Sequence, residues 1–170
     1  VYRGDGQKVI NSVVSSYGDS FTTGDIIGIA VDCTNGAVYF SKNNAWQDSG
    51  DPTSGGSKTG SPFTWTGETI DFVATTSPYS SSAICGLNFG QDSSFFGNET
   101  AQGNADGNGV GDFYYEPPSG YLALCTDNLS DPEIKLPADH FNTVLYTGNG
   151  STQSITGVGF QPDTVWIKDR

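Results

Sequence analysis

Residues 22–41, TTGDIIGIAVDCTNGAVYFS, are the stretch that decides the fold. Apolar residues recur at every second position before and after a polar break, which is the period of a half-buried β-strand. Asn35-Gly36, at the break, is a pair typical of hairpin turns, since Gly tolerates positive φ. The stretch therefore predicts a β-hairpin whose inward face carries Ile27, Ile29, Val31, Cys33, Val38 and Phe40.

The composition favours short strands joined by many turns. Gly accounts for 23 of the 170 residues, Met is absent, and the strong helix formers Leu, Glu, Lys and Arg are scarce. No segment indicates a helix longer than a turn or two. Because Val1 already lies in a strand-like segment, we expect a fragment of a longer protein. The fold class expected from these features is all-β.

Charge and hydropathy narrow the classes of partner. The chain has 19 acidic and 7 basic residues and a formal net charge of −12. Nucleic-acid binding depends on Lys and Arg contacts to phosphates, so nucleic acid is not expected as a partner. No apolar run approaches the roughly 20 residues that a membrane-spanning helix needs, so we expect no membrane insertion.

Strand-like and polar runs divide the chain into three parts. Residues 1–125 are predicted to form the main β-rich domain, with long polar loops at 43–62 and 90–111. Two prolines and little alternation at 126–139 indicate an extended connector. Residues 140–170 contain three more strand candidates and predict the start of a second β unit. The strand candidates are 70–74, 82–89, 112–115, 121–125, 141–147, 154–160 and 163–168.

The three cysteines are far apart and odd in number. Cys33, Cys85 and Cys125 show no CxxC or paired Cys/His spacing, which argues against structural zinc. Cys33 and Cys125 end apolar runs, so we predict buried, reduced thiols that pack as small hydrophobic groups. A disulfide is the alternative.

One loop carries oxygen-bearing side chains at alternate positions. Asn104, Asp106 and Asn108 precede Gly109 as in the first half of an EF-hand calcium loop. The twelfth position is Tyr115 rather than a bidentate acid, and no helix flanks the loop. Asp112 could act as a further ligand in another geometry. Calcium is therefore the one candidate cofactor, and a metal-free turn cluster is the favoured alternative.

An aromatic residue flanked by polar groups lies in the first long loop. Trp46 stands between Asn44 and Asp48, a combination suited to the C–H faces and hydroxyls of a sugar. These three residues form the candidate ligand-binding site. The alternative is that Trp46 folds back onto the core, as large aromatic residues on hairpins usually do.

The sequence offers little for catalysis. His140 is the single histidine, and no G-x-S-x-G motif surrounds a serine. Many carboxylates are present, so a glycosidase using two of them stays open. Most of these acids lie in Gly/Asn-rich turns, where Asp bonds its own backbone. We predict no catalytic residues and no enzyme activity.

Several motifs in order resemble a known family. TGDIIGIAVD at 23–32, the Asn35-Gly36 turn, YFSKN at 39–43 and NFGQ at 88–91 are similar to the second half of a SPRY domain. The resemblance implies an antiparallel β-sandwich of the SPRY/concanavalin-like jelly-roll type, with its amino-terminal strands missing from this chain. Four further segments resemble a recurrent series in phage structural and tail-fibre proteins: NNAWQDSGD (43–51), NADGNGVGDFYY (104–115), PPSGYLALCTDNL (117–129) and GFQPDTVWIK (159–168).

The resemblance implies a function as well as a fold. It implies a non-catalytic module in a virion, as tail fibre or capsid decoration, that presents loops to a bacterial surface glycan or protein. Other virion proteins or copies of itself would be its partners; fibre proteins are commonly trimeric, although no heptad repeat here supports a stoichiometry. The alternatives are a carbohydrate-active depolymerase module and a SPRY-type protein-interaction domain. The fold itself identifies no ligand.

Overall fold

The structure, a computed structural model, describes residues 1–67, 73, 75–77 and 84–168. It divides into two units, Val1–Asn128 and Leu129–Arg170. All strand pairings in the described residues are antiparallel, and these residues contain 3₁₀ turns but no α-helix. None of the helical turns described is long enough to cross a bilayer. The expected all-β, antiparallel sandwich class is confirmed.

Six strands are present among the described residues of the first unit. β1 (Gln7–Ile10) and β2 (Val13–Ser16) form a two-stranded hairpin. β3 (Ile27–Asp32), β4 (Ala37–Lys42) and β5 (Ala45–Trp46) follow in order in a second sheet, and β6 (Phe63–Thr64) also pairs with β4. The 3₁₀ turns described in this unit are Gln47–Ser49, Gly55–Ser57 and Thr126–Asn128, and a further one, Pro137–Asp139, lies in the second unit.

The predicted hairpin at 22–41 is present, with Val31 opposite Val38 and Asp32 opposite Ala37. Its turn is closed by Asp32, whose carboxylate accepts hydrogen bonds from both the backbone and side-chain nitrogens of Asn35. Gly36 completes the turn with φ 77°. The turn signal therefore marked the right place, and Asp32 provides the side-chain contacts that fix it.

The predicted inward face of this hairpin is only partly covered, and it is not the more buried of the two faces. The most buried residues are Ala30, Ala37 and Tyr39, which lie on the opposite face and pack with Trp46 and Tyr121. Alternation defines two faces of a strand but not which one is covered. Small residues at 30 and 37 leave room for the Tyr39 ring, which has no exposed surface.

The predicted face is covered only in part. Val38 is buried and the Phe40 ring contacts the rings of Tyr2 and Tyr17, whereas Ile29 is 55% exposed. Cys33 is exposed because it lies in the turn, beyond the last residue of β3.

The cysteine prediction fails for burial, and the reduced state of the thiols stays a prediction. All three thiols are free in the structure. Cys33 and Cys85 are exposed, and Cys125 is half-buried. Cys125 lies outside the regular strands, although burial along 121–125 does alternate, with Ala123 buried and Leu122 and Leu124 exposed.

Two strand candidates of the first unit are irregular segments in the structure. At 112–115 the only pairing is an isolated bridge between Asn104 and Phe113. Along 121–125 the Ala123 N–H donates to the Asp106 carboxylate rather than to a neighbouring strand. In the segment 121–125, a side-chain carboxylate thus takes the place of the backbone acceptor that a neighbouring strand would provide. The candidate 70–74 falls largely outside the described residues, as does the start of 82–89, whose described part forms no strand.

The second unit shows none of its three predicted strands. Segments 141–147, 154–160 and 163–168 are irregular. Within the described part of this unit, side-chain amides take the place of a backbone ladder: Asn142 Nδ2 donates to the Val158 carbonyl and Gln153 Nε2 to that of Thr147. Residues 126–128 belong to the first unit, and for 129–139 the role of connector stays a prediction.

Candidate functional site

The loop after β4 is residues 43–62, which include the short strand β5, and it carries the predicted ligand-binding residues. Asn43 and Asn44, with φ of 49° and 69°, form the tight turn between β4 and β5. Asn tolerates this left-handed region better than other residues with a Cβ. Asn44 is exposed, so its side chain is available at the tip of the turn.

The base of this turn is tied to the irregular segment that directly precedes β3. Asn43 Nδ2 donates to Asp25 at 2.6 Å, and Asn43 Oδ1 accepts from the backbone of Ile26. Lys42 lies 3.3 Å from the same Asp25 carboxylate. The backbone N–H of Thr22, followed by Asn43 and Lys42, lowers the pKa of Asp25. Two of the family-like motifs, at 23–32 and 39–43, thus meet at these groups.

Trp46 is half-buried against the core cluster of Ala30, Ala37 and Tyr39. It therefore folds back onto the sheet, the alternative considered above. Asp48 is exposed and has φ 55°, and Ser49 beside it has φ 54°. Asn44 and Asp48 are thus exposed polar residues that precede and follow the anchored Trp46 in the sequence. Ligand binding by Asn44, Trp46 and Asp48 stays a prediction.

Gln47 anchors the loop from below and was missed from the sequence. Its side chain is only 4% exposed. Oε1 accepts from the Asp19 N–H at 2.6 Å and Nε2 donates to the Ala45 carbonyl. A Cβ at Gly18 would lie 2.5 Å from Oε1, so Gly18 is needed for this approach. A glutamine in a polar loop carries no sequence signal of burial.

Tyrosine hydroxyls hold the rest of the loop. The Tyr121 hydroxyl donates to the Pro52 carbonyl at 2.9 Å, and the Tyr39 hydroxyl lies 3.4 Å from that of Ser54. Burial is the main cause that raises the pKa of Tyr121. Asp51 adds backbone bonds to Thr59 and Ser54. The loop is therefore fixed by buried groups while its outer side chains stay free.

The second loop is organised around Asp106. Its carboxylate accepts four hydrogen bonds, from the backbones of Ala123, Asn108 and Val110 and from Asn128 Nδ2, at 2.7 to 3.0 Å. These hydrogen bonds lower the pKa of Asp106 to about 2, and the bond from the Ala123 N–H has the largest effect. Asn128 was missed, because a residue 22 positions away in the sequence gives no local signal.

The four predicted calcium ligands have other contacts in the structure. Asn104 Nδ2 donates to the Tyr114 carbonyl, and Asn108 Nδ2 donates to Asn128 Oδ1. The carboxylate of Asp106 is occupied as described, and Asp112 Oδ1 is buried with no hydrogen-bond partner among the described residues. Across residues 1–67, 73, 75–77 and 84–168, no group of three or more His, Cys, Asp or Glu side chains could hold a metal. Calcium binding stays a prediction.

The NFGQ motif at 88–91 is a turn that is hydrogen-bonded to the end of the second loop at Asp112. Asn88 Oδ1 accepts from the backbones of Gly90 and Gln91, and Asn88 Nδ2 donates to the Asp112 carbonyl at 2.9 Å. Gln91 Oε1 accepts from the Phe89 N–H. The motif therefore has a structural role, since its side chains satisfy backbone groups.

Comparison with known proteins gives two family matches. The SPRY domain profile matches residues 1–92, which is more than half of the chain. A second profile, a domain of unknown function named DUF7483, matches residues 136–170. No curated protein and no solved structure matches. The hairpin at 22–41, the ordered loop after β4 and most of the NFGQ turn lie inside the first match, so the chain belongs to the SPRY domain family.

Proposed function

We propose that this protein is a non-catalytic binding module that holds a macromolecular partner on the loop after β4. The observation that carries the proposal is the way this loop is built: its inner side chains, such as Gln47 and Trp46, are anchored, while Asn44 and Asp48 are exposed. Membership of the SPRY family suggests a protein-interaction module. A polypeptide is therefore the favoured ligand.

The ordering of the loop supports a binding role on physical grounds. Asn44, Asp48 and Ser49 are non-glycine residues with positive φ, a conformation that costs free energy and persists only where surrounding contacts enforce it. A loop that is already ordered loses less conformational entropy when a ligand binds. The same anchors would thus increase affinity.

The contacts of the carboxylates support the non-catalytic part of the proposal. Asp25, Asp32, Asp92 and Asp106 accept hydrogen bonds from nearby backbone N–H groups. His140 lies at the end of an exposed 3₁₀ turn in the second unit. These groups serve local structure. A depolymerase module, the rival function, would need two carboxylates free to face a sugar.

The finer proposal places this module on the surface of a tailed-phage virion, in host attachment or decoration. Its support is the resemblance of the segments at 43–51, 104–115, 117–129 and 159–168 to phage structural proteins. In that setting the partner would be a protein or glycan of the bacterial surface. Immunoelectron microscopy with antibodies to this chain, on particles from a strain carrying the gene, tests this: label on the particle is expected, and unlabelled particles, intact and disrupted, would contradict it.

Selection of a displayed random-peptide library on the full chain tests the binding role. We expect peptides that bind the wild type and lose at least tenfold in affinity for a variant with Asn44→Gly and Asp48→Gly. Glycine keeps the positive φ at both sites and removes only the side chains. The matched control is Asn11→Gly with Ser12→Gly, two exposed residues that also have positive φ. Peptides that bind all three proteins equally would contradict the proposed surface.

A further inference from the structure

A pocket of about 280 Å³ opens at the surface of the first unit, and its lining contains no residue of the loop after β4. It is lined by the NFGQ turn, by Val110 and Gly111, and by residues 123–127. Phe89, Val110, Ala123 and Leu124 give it apolar walls. Asp127 is the one carboxylate in the lining.

The shape of this pocket is fixed by close backbone packing. Gly90 and Gly111 have φ of 106° and 100°. A Cβ at Gly111 would lie 2.7 Å from the ring of Phe113, and one at Gly90 would lie 3.2 Å from the Ala123 methyl. The bond from the Ala123 N–H to Asp106 holds the opposite wall. The pocket is therefore a built feature of the second loop.

Two of its apolar side chains extend into solvent. Leu124 is 76% exposed and Phe89 is 40% exposed. Apolar surface grouped beside a pocket is typical of interaction sites. An occupant with an apolar stem would cover these walls, and flanking residues of a larger partner would cover Leu124.

The charge around the pocket is negative and lacks a counterpart. Asp127 makes no ion pair within the described residues. Residues 59–134 of the sequence contain no lysine, arginine or histidine. The complementary occupant is a cation.

We propose that this pocket accepts the side chain of a lysine from a partner polypeptide. The four methylenes lie along Phe89 and Leu124, and the ammonium pairs with Asp127. A long stem on an apolar wall with its charged end at the rim is a common arrangement for lysine. A single carboxylate suits a compact ammonium better than the planar fork of arginine. The inference rests on the proposed function only in taking the ligand to be a polypeptide.

Titration of the full chain with the capped peptide acetyl-Gly-Lys-Gly-amide, followed by NMR, tests the proposal. We expect at least tenfold tighter binding than for the norleucine analogue, which keeps the stem and lacks the ammonium. Asp127→Asn should remove this preference, whereas Glu116→Gln, an exposed acid of the same unit, should leave it unchanged. Added salt should weaken the lysine peptide more than the norleucine peptide.

A second readout uses the half-buried thiol in the pocket lining. In a Cys33→Ser, Cys85→Ser background, the lysine peptide should slow alkylation of Cys125, and the norleucine peptide should do so less. Absence of binding, equal binding of the two peptides, or an unchanged preference in Asp127→Asn would overturn the proposal. Binding of n-butylamine as tight as that of the lysine peptide would overturn the polypeptide source.

The lysine pocket and the proposed binding surface at Asn44 and Asp48 can be tested independently of each other. Asn44→Gly with Asp48→Gly should leave lysine-peptide binding unchanged, because those residues lie outside the pocket lining. Loss of lysine binding in that variant would count against a separate site. Library peptides that depend on Asn44 and Asp48 would support the proposed function even where the lysine pocket fails its own test.

Discussion

Gln47 Oε1 accepts a hydrogen bond of 2.6 Å from the backbone N–H of Asp19. This bond joins the loop after β4 to the segment that precedes β3. The same oxygen lies 3.4 Å from the Tyr2 hydroxyl. One buried amide therefore links three parts of the chain that are distant in sequence. Its replacement is the most direct test of how the candidate binding loop is held.

Gln47→Leu should lower the free energy of unfolding by about 1–3 kcal/mol, because it removes the part-buried bond from the Asp19 N–H together with the bond to the Ala45 carbonyl. Leucine keeps much of the volume, so the effect reports on the hydrogen bonds. Urea denaturation measures it. Gln102→Leu, at an exposed glutamine, is the control and should change stability by less than about 0.5 kcal/mol. Equal effects of the two substitutions would show that Gln47 is no anchor.

Gly36→Ala should destabilise the hairpin strongly. A Cβ there would lie 2.2 Å from the Trp65 carbonyl oxygen, and the backbone has φ 77°. The Trp65 N–H also donates to the Gly36 carbonyl, so a shift would disturb the pairing of β6 with β4. We expect a loss of about 2–5 kcal/mol from strain and overpacking together.

Gly24→Ala separates these two causes. Gly24 has φ 86° and no atom within 4 Å of its Cβ position, so only backbone strain of about 1–2 kcal/mol is expected. Thermal melting of both variants gives the comparison. A Gly24 variant as unstable as the Gly36 variant would remove the role of the Trp65 contact.

Acid should weaken the protein through Asp106. Its folded pKa of about 2 is below the ordinary value of 3.8, so its contribution is complete above 3.8 and is lost as pH falls towards 2. Asp106→Asn should lower the melting temperature by several degrees at neutral pH, since an amide cannot accept all four bonds. Its acid-induced loss of stability should be shallower than that of the wild type. Parallel acid profiles for the two proteins would contradict this role.

Alkali should weaken the protein through Tyr17. Burial raises the pKa of Tyr17 to about 12, opposed by the hydrogen bond that its hydroxyl accepts from the Phe40 N–H and assisted by the charges of Asp48 and Tyr2. The contribution of Tyr17 to stability is therefore complete below its unfolded pKa of 10. It is lost as pH rises from 10 to about 12. Tyr17→Phe keeps the ring contacts and should flatten this loss. Circular dichroism across that pH range measures it, and an unchanged alkaline slope would count against Tyr17.

The strand pairing near Asn35-Gly36 could be predicted from the sequence, whereas the covered face could not. Ile27 and Ile29 are larger and more apolar than Ala30 and Ala37, so composition favoured the wrong side. Burial depends on what packs against a face: Tyr121, far along the chain, contacts one side, and Tyr2 contacts the other. Neither contact leaves a mark on the local pattern.

The candidate sites divide in the same way. Asn44, Trp46 and Asp48 could be singled out because an aromatic residue between polar ones in a long loop is visible in sequence. The spacing of Asn104, Asp106 and Asn108 was also visible, but their hydrogen bonds to the backbone and to Asn128 were not. The same residue types serve a metal site or an Asx turn, and only their neighbours in space distinguish the two.

The sequence alone determined the class of structure: frequent glycines, alternating apolar residues and a hairpin signal favour antiparallel strands because local backbone preference and side-chain period act over a few residues. The tertiary structure alone decided that Gln47 and Asp106 are anchors and that Asp127 borders an apolar pocket. Those roles depend on contacts between residues that are distant in sequence. Such contacts form only when the whole unit packs, so no local pattern reveals them.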